Sequence, residues 1–100
     1  MELNEVSEVL VELGRRLRAA RLKRDDTMAV FAQRLGISKA TVRAMERGAL
    51  TVQIGAWLKA LWVLDELDVI RPVLEPKESL LDRARAQHRR PKQRASRRSR

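Results

Sequence analysis

Cysteine is absent from the 100 residues, so the chain builds neither a disulfide framework nor a thiolate metal site. Histidine occurs once, at His88 within a basic stretch, which leaves no structural zinc site. Tyrosine is missing, phenylalanine occurs once, and Val, Ile and Thr seldom cluster, so strands have little to form from. No apolar run approaches the roughly 20 residues that cross a bilayer. The opening MELNEVSEVL is acidic and lacks the basic start of a secretory signal. A cytoplasmic protein without a membrane partner is therefore expected. There is also no Gly-rich phosphate loop and no carboxylate pair converging on a plausible cleft, so no enzyme, catalytic residue, metal or cofactor is expected.

What the chain does have is Leu, Ala, Arg and Glu, which favour helix. Its net charge of +9 is unevenly placed. Residues 82–100 hold nine Lys or Arg against Asp82, whereas residues 1–81 hold thirteen against twelve acids. The basic character thus belongs to the C-terminal end, and it points to polyanionic partners.

Apolar spacing predicts helices with legible ends. Val6, Val9, Leu10, Leu13, Leu17 and Ala20 recur at three- and four-residue steps, giving a first helix over residues 5–24 with Asn4 as a possible N-cap. Glu5, Glu8 and Glu12 suit its positive end and the Arg-rich stretch from Arg15 its negative end. The Asp25-Asp26-Thr27 cluster stops it, and Thr27 caps a second helix, Met28–Leu35, with Phe31, Ala32 and Leu35 inward. Gly36 supplies a turn, Ile37 points back to the core, and Ser38 caps a third helix, Lys39–Arg47, with Val42 and Met45 inward and Gly48 at its end. A fourth helix over residues 53–64 is apolar on more than one face, and a short fifth follows over 65–69. Residues 1–71 form one domain. Residues 72–100 comprise a linker with Pro72 and Pro76, a further short helix over 78–86, and an Arg-rich tail too poor in apolar residues to fold alone.

The stretch TMAVFAQRLGISKATVRAMERG carries the functional reading. Two short helices crossing steeply over a tight turn need a small residue at the crossing, which Ala32 supplies, and a Gly in the turn, which Gly36 supplies. Apolar residues at Ile37, Val42 and Met45 would hold the second of them to the body. An ordinary helical hairpin with a Gly turn has the same spacing and stands as the alternative.

The words LGRRLRAARLKR, AQRLGISKATVRAMERG and VQIGAWLKALWVL, within residues 13–64, resemble the lambda-repressor and Cro family, the XRE-type helix-turn-helix. The resemblance implies an all-α bundle of about five helices, with the third helix in the major groove of double-stranded DNA. On that geometry Ser38, Lys39, Ala40, Thr41, Arg43, Ala44 and Arg47 are free to face outward. Lys39 and Arg43 would donate to guanine O6 and N7, and Ala40 and Ala44 would meet a thymine methyl. Ser38 and Thr41 would hold phosphate, as would Arg34 and Arg47. Arg21 and Glu46 match a pair that in the family ties the first helix to the third by a structural salt bridge. Where many members of the family have Gly-Leu-Thr-Gln, this chain has Asp25, Asp26, Thr27 and Met28, so it departs at Asp25, Asp26 and Met28. Met28 cannot make the polar contacts of that Gln, and Asp26 stands at a usual core Leu.

The fourth-helix word, the Pro-containing linker and the Arg-rich end also resemble HipB-type antitoxins. That implies a repressor acting as a homodimer on a palindromic operator, with a HipA-like kinase toxin as partner. Trp57, Trp62, Val63, Leu67 and Ile70 are the dimer residues on this reading; burial of both tryptophans in one protomer is the alternative. A stand-alone XRE-type regulator, or an interaction module that no longer reads DNA, would retain the same fold.

Overall fold

The computed structural model describes residues 3–77 together with Ala84 and Arg85. Four α-helices follow one another: α1, Leu3–Lys23; α2, Met28–Leu35; α3, Lys39–Arg47; and α4, Ile54–Val63. A single 3-10 turn, Leu67–Val69, closes the domain. There is no strand among the described residues, and the fold is the expected all-α helix-turn-helix bundle. The helix expected over 78–86 and the basic tail lie outside the described residues, apart from Ala84 and Arg85, which are helical.

All four helices stop in the same way. Asp25, Gly36, Gly48 and Asp65 each take a left-handed backbone, at φ 63°, 71°, 80° and 61°. The next amide then reaches back five residues to a helix carbonyl: Asp26 to Arg21, Ile37 to Ala32, Ala49 to Ala44 and Glu66 to Leu61. These are Schellman closures, which satisfy the last carbonyls while reversing the chain in very few residues. The starts of α2 and α3 are side-chain capped. Thr27 Oγ1 accepts from the Val30 amide at 3.1 Å, and Ser38 Oγ accepts from the Thr41 amide at 3.0 Å.

Leu17, Phe31, Ala32, Leu35, Val42, Met45, Ala56 and Ala60 form the core, with Met28, Ile37, Val52, Trp57, Val63 and Leu64 packed around it. The small residues allow the closest approaches. A Cβ on Gly14 would lie 2.5 Å from the Glu46 carbonyl oxygen and 2.6 Å from that of Met45, so α1 meets the backbone of α3 directly. At the far end of α3, a Cβ on Gly48 would lie 2.7 Å from the Val11 Cα.

Several expectations need correction. α1 begins at Leu3, so Asn4 lies inside it and is no cap. Its covered face runs through Leu10, Gly14, Leu17 and Arg21, which leaves Val6, Val9 and Leu13 of the apolar stripe exposed. α4 is shorter than residues 53–64, and the fifth helix shrinks to the 3-10 turn because Asp65 is spent on the left-handed closure.

Candidate nucleic-acid interface

α3 is held from behind. Val42 and Met45 are fully buried on one side of it. Arg21 reaches its last turn from α1, donating from Nε to Glu46 Oε2 at 2.6 Å and from Nη2 to Oε1 at 3.1 Å. Both side chains are nearly excluded from solvent. The same guanidinium donates from Nη1 to the Asp26 carbonyl at 3.0 Å. The hydrogen bonds Arg21 donates to Glu46 raise the Arg21 pKa above its ordinary value; burial opposes the shift, and the charges of Glu46 and Asp26 add to it.

With Val42 and Met45 inward, the opposite side of α3 faces solvent. Lys39, Ala40, Arg43 and Arg47 are exposed there, and Ala44 is half-buried beside them. Lys39, Arg43 and Arg47 follow at four-residue steps and so share one stripe. Arginine and lysine at such spacing can reach successive base edges or phosphates, while Ala40 and Ala44 let the helix approach closely. Ser38 and Thr41 sit at the start of the helix, their hydroxyls 2.8 Å apart. Ser38 Oγ already caps the helix, so its first role is to start α3.

Arg34 is placed otherwise than expected for a simple phosphate ligand. Its Nε donates to Asp26 Oδ2 at 3.1 Å, and Arg24 Nε donates to the same oxygen at 3.4 Å. Asp26, itself buried, is thus the acceptor for three arginines: two at its carboxylate and Arg21 at its carbonyl. A buried carboxylate persists only with such partners. Met28 is partly buried against the core, which fits packing better than polar contact.

Sequence reasoning missed the second wall of this face. Ala40, Thr41 and Ala44 line a groove of about 510 Å³ shared with Gln53 and Gly55 at the start of α4 and Lys59 midway along it. Lys59 is the only charged residue in IGAWLKALWV, a signal available in the sequence. Gln53 makes no side-chain cap, so the positive end of α4 opens beside α3.

Two short helices, a glycine turn, and a second helix pinned inside and basic outside are the parts of a DNA-reading motif. Residues 12–68 match the family described as helix-turn-helix domain. The chain belongs to that family. This helix-turn-helix protein is accordingly a DNA-binding regulator. Comparison with curated proteins and with solved structures gives no match. Among the described residues no group of His, Cys, Asp or Glu could hold a metal ion, and no helix is long and apolar enough to cross a membrane.

Of the residues expected at a dimer contact, Trp57 and Val63 pack partly against their own core. Leu67 and Ile70 are half-buried, and Trp62 is 70% exposed.

Proposed function

We propose that this chain is a sequence-specific transcriptional repressor that binds a palindromic operator as a homodimer and has no catalytic step of its own. The observation that supports this most is the exposed stripe of Lys39, Arg43 and Arg47 on a helix fixed by Val42, Met45 and Glu46. On this reading Lys39 and Arg43 read bases, Ala40 and Ala44 allow the close approach, and Arg47, Lys59 and Thr41 hold backbone phosphate. A palindrome follows from a two-fold dimer, since each half-site meets the same helix.

The finer reading is that the repressor is the antitoxin of a toxin–antitoxin pair and regulates its own operon. It rests on the resemblance of VQIGAWLKALWVL and the Arg-rich end to HipB-type antitoxins. A gene for a HipA-like kinase beside this one, whose toxicity is relieved by co-expression, would support it; its absence leaves a stand-alone regulator.

Fluorescence anisotropy tests the central claim. The duplex upstream of this gene is compared with a scrambled duplex of equal length at physiological salt, using the full chain and a version ending at Ala86. A preference of about a thousandfold or more for the native duplex, retained in the shorter version, establishes the repressor. Equal binding to both, lost on truncation, assigns all DNA contact to the basic tail and favours an interaction module.

A further inference from the structure

A stretch of uncovered apolar surface lies on the side of α1 that α3 does not cover. Leu10 and Leu13 of α1 face Leu50, Ile54, Trp57 and Ile70 across a groove of about 390 Å³ whose lining is wholly apolar. Val6 and Val9 continue that surface along the first turns of α1, at 40% and 50% exposure. With Leu13, Leu50, Ile54 and Val69, they present on the order of 500 Å² of apolar surface, the upper range of what a monomer leaves uncovered. Two such faces brought together cover roughly 1,000 Å², the size at which a specific interface starts. Val6 and Val9 precede the residues matched by the helix-turn-helix family, which begin at residue 12, so this arm extends beyond the matched domain.

The charges bordering the arm indicate its occupant. Glu5 and Glu12 are exposed along one edge of the Val6, Val9 and Leu13 stripe on the first half of α1, and Arg16 is exposed further along the same edge. A partner carrying one sign of charge is repelled by one of these halves. A second copy lying antiparallel satisfies both, because a two-fold contact sets the acidic half of each helix against the basic half of the other. We propose that α1 and the adjoining apolar groove form the self-association surface of this protein, with a second copy packed antiparallel along α1. The proposal deepens the homodimer reading above and moves the contact away from Trp62.

Sedimentation equilibrium of the full chain without DNA tests it, with helix content followed by circular dichroism. The unaltered chain is expected to be a dimer, and the double substitution Val6→Glu with Val9→Glu, at positions already exposed, to weaken it at least tenfold while leaving helix content intact. Two charge-altered chains give a second, independent reading: E5K/E12K, which makes the bordering edge of α1 basic throughout, and R16E, which makes that edge acidic from residue 5 to residue 16. Each alone is expected to be monomeric, and their mixture to form a dimer. A monomeric unaltered chain, a dimer indifferent to Val6 and Val9, or a charge-altered mixture that stays monomeric overturns the proposal. Trp62→Ala should leave the dimer unchanged; its loss there would return the contact to α4. Because mass is read without DNA, failure of operator binding in the anisotropy assay leaves this result standing.

Discussion

Asp26 and Arg34 meet at 3.1 Å beside the N-terminus of α2, the carboxylate buried and the guanidinium half in solvent. The buried member has little alternative to this pairing, whereas the exposed member can exchange it for a phosphate. Asp26→Asn should therefore cost about 1.5–3 kcal/mol of stability, the range for a hydrogen bond to a charged group. It should also release Arg34, so that the dependence of log affinity on log salt steepens by about one unit. An unchanged salt slope with a lowered melting temperature would show that Arg34 serves the fold alone.

Arg21 and Glu46 are both buried, so breaking their pair strands a charge. Glu46→Ala should destabilise the domain by about 3–5 kcal/mol. Arg21→Met combined with Glu46→Leu should cost far less than the two single changes together, since neither leaves an unpaired charge. Urea titrations of the four proteins give the cycle, and additive costs would count against coupling. The raised Arg21 pKa fixes the sign of any pH effect from this guanidinium. Its stabilisation is fully present below the unfolded pKa and fades only as pH climbs through the folded one, so it contributes no step across neutral pH.

Gly14 and Gly55 are both helical glycines with opposite surroundings. Alanine gains about 1 kcal/mol over glycine in a helix interior. At Gly55 the added methyl meets nothing within 4 Å, so Gly55→Ala should stabilise by roughly 0.5–1 kcal/mol. At Gly14 it meets two α3 carbonyls, and overpacking of about 1–3 kcal/mol should outweigh the gain. Thermal melts that move in the same direction for both would refute the backbone contact.

Lys39→Ala and Arg43→Ala should each weaken operator binding by about 1–3 kcal/mol and relax selectivity at the base pair each one reads. Lys59→Ala should lower affinity for all duplexes alike and reduce the salt slope by about one. Binding to a panel of single-base operator variants separates the two behaviours. A uniform loss for Arg43→Ala would reassign it to phosphate.

The middle of the domain was legible because its signals are local. Thr27, Ser38, Gly36 and Gly48 sit where a cap or a left-handed turn must be, and they bound α2 and α3 correctly. Where a signal depends on what lies opposite, sequence reasoning failed. The stripe on α1 is visible in the sequence, but periodicity identifies an apolar face without saying how much of it a neighbour covers, and Val6 and Val9 are left exposed. Gly14 matters only because α3 crosses there. The pairing of Asp26 with Arg24 and Arg34 joins a loop to α2 and is invisible to spacing within either.

The four Schellman closures bear on how such a domain accommodates DNA. Each connection is tied to the helix before it by its own backbone, and α3 is fastened further by the contacts of Gly14 and Arg21. A domain built this way has no hinge on which to tilt its reading helix toward an imperfect site. The adjustment falls to the duplex, whose bending and groove width depend on sequence. Base pairs that no side chain touches then influence where the protein binds, through the stiffness of the DNA itself.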